Sequence, residues 1–189
     1  MNVTIEKACI NDMESVEELY NDICDFLSDK EYNPGWRKGI YPTRNEAEYF
    51  MNQDALYVAR FDDGIVGSVV LTYSANTESN ENCRYHKEES KDLLYIHDLV
   101  VHPNFHRQGI GIALLNFAQQ FAILKGVKAL RLYVYEKNSV AINTYEKNGY
   151  VFVEKEDIGL GQFGLPWFCL YEKNLETIRI RGNDEEKSK

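Results

Sequence analysis

"VVHPNFHRQGIGIALLNFAQQ", residues 100–120, runs from an apolar stretch through a polar turn into a helical pattern. Gly109 and Gly111 stand where that helix begins. A helix start favours a capping side chain, and a glycine inside a helix costs about 1 kcal/mol relative to alanine. Two glycines there need a reason. The unpaired N–H groups of a helix N-terminus, with the helix dipole, form an anion site. Glycine removes the β-carbon that would hold a phosphate away from those groups, and it permits unusual φ angles. "HRQGIG" therefore fits a turn whose amides grip a phosphate or pyrophosphate, with Arg107 adding charge. It fits equally well two glycines that let strand and helix pack closely. Spacing alone leaves both readings open. Two other phosphate motifs are excluded. No GxxxxGK followed by Ser or Thr exists, and "GIGIAL" puts Leu114 where a dinucleotide fingerprint needs its third glycine.

Working outward, "VTIEKACI" (3–10) alternates as a strand does. A helix follows in "NDMESVEELYNDICDFL", capped by Asn11 or Asp12. The stretch "SDKEYNPGWRKGIYP" is an aromatic-rich loop with Pro34-Gly35 as a turn. Thr43 with Glu46 three residues on is a capping box for a short helix. "ALYVARFDDGIVGSVVLTYS" reads as a hairpin turning at Asp63-Gly64. Residues 75–92 are polar and read as a long exposed loop. "LLYIHDLVV" lacks clean alternation, which predicts a strand buried on both faces. Helix 109–125 carries Ile110, Leu114, Phe117, Phe121 and Leu124 on one stripe and ends at Gly126. "KALRLYVY" is a strand, "NSVAINTYEKNGY" a short helix stopped at Asn148-Gly149, and "YVFVEKE" and "WFCLYEK" are closing strands. The pattern predicts one mixed α/β domain over residues 1–175 and a charged, frayed tail over 176–189.

The 189 residues carry a net charge of −9. That balance argues against a general nucleic-acid binder, which needs a basic face, and gives no support for an anionic membrane surface. No run of 18 apolar residues is present, and the N-terminus lacks the basic start and apolar run of a signal peptide, so a cytoplasmic protein is expected. The four cysteines, Cys9, Cys24, Cys83 and Cys169, form no metal-binding spacing. Cys9 and Cys24 lie in apolar patterns and read as small buried hydrophobes. With no set of three or four ligands among the histidines, no metal site is expected.

"LVVHPNFHRQGIGIALL", followed by "LRLYVYEKNSVAINTYEKNGY", resembles the GCN5-related N-acetyltransferase superfamily. The first stretch is similar to its acetyl-CoA-binding motif, Gln/Arg-x-x-Gly-x-Gly/Ala. The second carries its later signature in Asn138, Ala141, Tyr145 and Gly149-Tyr150. The resemblance covers residues 2–174. His106 departs from it, standing where Gln or Arg is usual. The implied fold is α+β: a mixed, mostly antiparallel sheet flanked by helices, with "KALRLYVY" splayed away from "LLYIHDLVV". The implied cofactor is acetyl-CoA. Around His106, the amides of Arg107, Gln108, Gly109, Ile110, Gly111 and Ile112 would hold its pyrophosphate. The backbone of Leu99, Val100 and Val101 would pair with the pantetheine arm. Asn138 would contact that arm, and Tyr145 would sit by the sulfur. Homodimers are common in the superfamily.

The chemistry this implies needs a neutral amine, a polarised carbonyl and a protonated leaving group. A backbone N–H at Leu99 or Val100 is the candidate for the carbonyl. Tyr145 is the candidate general acid; without the resemblance it would read as a core aromatic. His97 is the candidate general base, on the same strand face as Leu99 if alternation holds. Asp98 should then face the other way and be structural, His102 should serve the turn, and His86 lies in the exposed loop. Tyr20, Trp36, Tyr41 and Tyr73 are candidate walls of the amine pocket, where aromatics favour a cation; Trp36 and Tyr41 could equally pack the loop onto the domain. A small amine, an amino acid, an antibiotic or a protein N-terminus would fit as acceptor. Two other classes stay open: a non-catalytic acyl-CoA-binding regulatory module, and a protein-interaction domain using the aromatic loop and residues 75–92.

Overall fold

The computed structural model describes residues 2–73 and 91–176. The sequence-predicted loop at 75–92 and the tail fall almost wholly outside them. Among the described residues, seven strands and four helices follow in the order β1 (Thr4–Lys7), α1 (Met13–Leu27), α2 (Arg44–Asn52), β2 (Leu56–Phe61), β3 (Gly64–Thr72), β4 (Leu93–Val101), α3 (Ile110–Leu124), β5 (Ala129–Tyr135), α4 (Ser139–Lys147), β6 (Val151–Glu156) and β7 (Phe168–Asn174). The strands form one sheet in the order β1-β2-β3-β4-β5-β7-β6. Every pairing is antiparallel except β4 with β5.

Local chemistry accounts for the boundaries. Thr43 caps α2: its hydroxyl accepts from Asn45 N at 3.2 Å, while Glu46 Oε2 accepts from Thr43 N at 2.9 Å. The β2–β3 turn lies one residue earlier than expected. Asp62 takes the left-handed conformation (φ 51°) and Gly64 is already the first residue of β3. Gly126 and Gly149 end α3 and α4 with positive φ, as the C′ position of a helix favours.

One face of the sheet packs on α3 and the other on α1 and α2. Ile110, Leu114, Leu115, Ala118 and Ala122 meet Leu94, Ile96, Leu130 and Leu132. On the opposite face Met13, Val16, Leu19, Tyr20, Ile23 and Phe50 pack against Leu56, Val58, Val70 and Val100. The expected α3 stripe holds except at its end, where Leu124 is 85% exposed. Cys9 is exposed rather than buried, while Cys24 is buried. The strand before α1 ends at Lys7, so Cys9 sits at its mouth instead of within it.

Two irregularities open the sheet at its centre. β4 pairs with β5 only at Leu93, Leu94 and Tyr95; beyond Tyr95 the two diverge, as the resemblance implied. Against β3, the register jumps from Val70↔His97 to Ser68↔Val100. Two residues of β4, Asp98 and Leu99, therefore face Val69 alone. This is a β-bulge, and Asp98 takes its strain at φ 42°.

Gly67 supports that bulge from β3. A Cβ there would lie 2.8 Å from the Val100 carbonyl oxygen and 3.2 Å from Ile110. The obstacle is backbone and cannot swing aside. Gly67→Ala is therefore expected to destabilise the fold by about 1–3 kcal/mol, the usual cost of overpacking. The denaturation midpoint in urea checks it; an unchanged midpoint would show that the bulge adapts freely.

Candidate active site

A cleft of about 910 Å³ follows the gap between β4 and β5. One end is the turn into α3, the middle is the β4 bulge, and the far end is an aromatic chamber under two loops.

At the first end, Gly109 is the N-cap of α3 with φ 86°, and Arg107 precedes it with φ 61°. These left-handed residues turn the chain sharply into a 15-residue helix. A Cβ at Gly109 would meet no heavy atom within 4 Å among the described residues. One at Gly111 would meet Val101 and Leu99 side chains at 3.7 and 4.0 Å, ordinary contact distances. The close-packing reading of these glycines therefore fails. Gly109 is demanded by its φ, and Gly111 leaves a bare helix terminus beside an open cleft. Arg107, Gly109, Ile110, Gly111 and Ile112 all line the cleft. Gln108 does not; its side chain turns away and donates to Asn104 O at 3.2 Å.

His106 also lines the cleft, but its ring serves the loop. Nε2 donates to the Val101 carbonyl oxygen at 2.9 Å, and the ring meets Phe26 edge-on at 5.1 Å. His102 holds the same turn: it accepts from Asn104 N at 3.1 Å and bonds Asp22 at 3.0 Å.

In the middle, the bulge breaks the alternation on which the expected placement of His97 and Asp98 rested. Leu99 and Val101 pack toward α3, while Val100 packs toward α1. His97 is paired with Val70, which belongs to the α1 face. His97 and Leu99 thus lie on opposite faces. His97 Nε2 shares a 3.0 Å hydrogen bond with Thr72 Oγ1, and its ring lies nearly parallel to that of Tyr95. Asp98 does not face away from the site. Both its carboxylate oxygens accept from Tyr41 Oη, at 2.8 and 2.9 Å, and both it and His97 line the cleft. Burial pushes the Asp98 carboxyl up to about 6; the Tyr41 hydrogen bond opposes the rise and the charge of Glu46 adds to it. Across the cleft, Asn138 caps α4 by accepting from Ala141 N at 3.1 Å. Tyr145, two turns further on, packs edge-on against Tyr150, and burial pushes its hydroxyl up to about 12.

The far chamber is built by the α1–α2 loop and the β6–β7 loop. Asn33 stitches the first: its side chain accepts from Gly35 N and Trp36 N and donates to Leu27 O and Trp36 O. Residues 37 and 41 then exchange backbone hydrogen bonds, which presents Tyr41 to Asp98. Gly35 (φ 91°) meets the second loop so closely that a Cβ would fall 2.4 Å from Leu165. Trp36 and Tyr41 line the cleft. Tyr20 does not: it is 1% exposed within the α1 core. Tyr73 does not either; it lies exposed past the end of β3. Sequence reading missed Asp98, Asn33, Phe163 and Leu165. Only Asn33 carried a local signal, standing directly before Pro34-Gly35.

Comparison with known proteins identifies the family. The model of the "Acetyltransferase (GNAT) family" matches residues 16–150, and the chain belongs to that family. It is 39% identical over 72 residues to "GCN5-related N-acetyltransferase 6, chloroplastic" of Arabidopsis thaliana; the match covers 38% of this chain and 25% of that protein. The chain thus spans about a quarter of this relative. It is 26% identical over 159 residues to the spermidine N(1)-acetyltransferase of Thermoplasma acidophilum, covering 79% of this chain and 89% of that one. Among solved structures it is similar in fold to the PaiA N-acetyltransferase of Thermoplasma acidophilum in complex with coenzyme A. There the TM-score is 0.67 at 21% identity, over 92% of this chain and 99% of that one.

Asp98 yields a signed test. Its folded pKa lies above the ordinary value of 3.8. The folded state therefore favours the neutral acid, and stability falls as pH rises from about 4 to about 6. Asp98→Asn keeps an acceptor for Tyr41 and removes that cost. It is expected to stabilise the fold by on the order of 2 kcal/mol at pH 8 and by little at pH 4, at about 1.4 kcal/mol per pKa unit before solvent screening. Urea unfolding at both pH values checks it; equal shifts at both would contradict the assignment.

Proposed function

We propose that this chain transfers an acetyl group from acetyl-CoA to a primary amine by direct attack in a ternary complex. The observation that carries the reading is one continuous cleft joining the bare N-terminus of α3, the β4 bulge and an aromatic chamber. The coenzyme A in the Thermoplasma structure and the acetyltransferase relatives support it.

When bound, acetyl-CoA supplies the acetyl group as an activated thioester. The residues present fit it. The amides of residues 107–112 would hold the diphosphate, helped by the charge of Arg107 and by the missing β-carbons at 109 and 111. Past Tyr95, β4 has an edge without β5 beside it. Leu99, Val100 and Val101 can receive the pantetheine arm there as an added strand. Asn138 uses its side-chain oxygen for the α4 cap, which leaves its amide N–H groups for that arm.

Three groups then handle charge and protons. A backbone N–H at the bulge, of Leu99 or Val100, would face developing negative charge on the carbonyl oxygen; such a donor contributes about 10²–10³ in rate. His97 takes the proton of the attacking ammonium, directly or through a water, with Thr72 holding its ring. Tyr145 keeps its proton at any physiological pH. With its pKa near 12 and a thiol near 8.5, complete transfer to the sulfur runs uphill. Tyr145 therefore acts chiefly as a hydrogen-bond donor to the departing thiolate.

Two measurements test this. Release of coenzyme A across a panel of amines should fall about 10²-fold in Tyr145→Phe and in His97→Ala, the low end for proton-handling groups. Undiminished rates in both would refute these roles. Tight coenzyme A binding with no amine acetylated would instead define a non-catalytic acyl-CoA-binding module. Separately, the motif admits alanine at position 111, and Gly111→Ala improves helix propensity by about 1 kcal/mol with no close contact, so it is expected to raise Tm and leave coenzyme A binding intact. Gly111→Val, which sets a branched side chain beside the open amides, is expected to weaken coenzyme A binding at least tenfold by calorimetry. Intact affinity in Gly111→Val would remove the diphosphate from this turn.

A further inference from the structure

The reading above leaves the acceptor amine open. Four observations narrow it.

The first is the distribution of charge. Among the described residues that line the cleft, the only carboxylates are Asp98 and Glu46. Glu46 is committed to the Thr43 cap. The chamber thus offers one carboxylate to a cation, and it lies at the bulge, on the floor.

The second is the wall. Above Asp98 the chamber is faced by Trp36 and Ile40 from one loop and by Leu160, Phe163 and Phe168 from the other side. Ile40 is 67% exposed and Phe163 is 54% exposed. Large apolar side chains left open at the mouth of a cleft mark a surface that a ligand covers.

The third is the sign of the remaining charge. Arg37 lines the same chamber. A second ammonium group on the acceptor would meet a guanidinium and aliphatic carbon, not an anion. A polyamine is poorly served there, although one relative is a spermidine acetyltransferase.

The fourth is the closure. The two loops touch at Gly35 and Leu165. They bridge the chamber over the bulge, which suits a compact molecule better than a continuing polypeptide.

We infer, resting on the acetyltransferase reading, that the acceptor is a small monoamine: one ammonium set against Asp98 and an apolar, ring-sized body between Trp36, Ile40 and Phe163. Asp98 attracts the ammonium and His97, beside it on β4, takes the proton. The apolar body displaces water from Ile40 and Phe163. The same wall discriminates against a second charge, because a desolvated ammonium with no anion is costly.

The experiment measures kcat/KM by loss of the thioester absorbance with the full-length protein at saturating acetyl-CoA. The acceptors are propylamine, butylamine, hexylamine, phenethylamine, spermidine, a lysine-containing peptide and a peptide with a free apolar N-terminus. Expected is a rise of about fourfold per methylene along the alkylamines, matching the usual transfer value per buried CH₂. Phenethylamine should exceed spermidine and both peptides at least tenfold. Phe163→Asp, at an exposed position where folding is not at stake, should lower phenethylamine about tenfold and raise spermidine. Turnover that favours spermidine or a peptide overturns the inference and leaves the acetyltransferase reading standing. A Phe163→Asp variant with unmoved preferences overturns it too. Absence of turnover with every amine, while coenzyme A still binds, overturns both.

Discussion

Between the pairs Ser68↔Val100 and Val70↔His97, two residues of β4 face one of β3, and Asp98 absorbs the mismatch in a left-handed conformation. The rest of the site hangs on this. Before the bulge, odd-numbered residues of β4 face α1; after it, Val100 does. The shift puts consecutive residues, His97 and Asp98, on the wall of one cleft. It also brings Leu99 and Val101 to the α3 face, beside Gly111. The turn into α3, the unpaired edge of β4 and the side chains of His97 and Asp98 are thus set in line by one extra residue. The divergence from β5 makes room for them. Neither irregularity alone would make the cleft: a regular β4 would hide Asp98, and a fully paired β5 would fill the gap.

The glycines show how differently the same residue can be used. Gly67 is a packing glycine, with the Val100 carbonyl where a side chain would go. Gly35 lets two loops touch. Gly109 is a conformational glycine, since its φ of 86° strains any other residue. Gly111 satisfies none of these descriptions: it lies in regular helix with ordinary room for a methyl group. Its cost in helix propensity goes unrepaid within the protein, which supports the proposal that a ligand approaches the backbone there.

Most of the fold was legible in the sequence because its signals are local. The Thr43–Glu46 capping box, the helical stripe from Ile110 and the Gly126 and Gly149 stops each need only a few neighbouring residues. The sharp turn into α3 at Gly109 was legible for the same reason. The face that His97 takes was not. Assigning His97 and Leu99 to one face assumed an unbroken alternation, and a bulge is set by two strands together. Tyr20 was read as a pocket wall because an aromatic on a helix face looks alike whether the face meets core or cleft; α1 turns it inward against Val70 and Val100. Tyr73 missed for the opposite reason: β3 stops one residue too soon. Phe163 and Leu165 could not be foreseen, because their loop reaches the site only through the pairing of β7 with β5.

His106 and Asp98 share a logic. The family motif has Gln or Arg where this chain has His106, yet the ring is spent on the Val101 carbonyl and on Phe26. The residue shapes the turn and leaves the backbone amides open for the proposed diphosphate. Asp98 likewise holds structure and chemistry together. Tyr41 gives its one proton to the carboxylate and thereby pins the α1–α2 loop over the bulge. A carboxylate offers about four lone-pair sites. One hydroxyl shared between both oxygens leaves room for an ammonium without releasing the loop. On the proposed reading, the buried charge that burdens the fold is the feature that joins the acceptor wall to the reacting strand, and an incoming cation would relieve the burden as it binds.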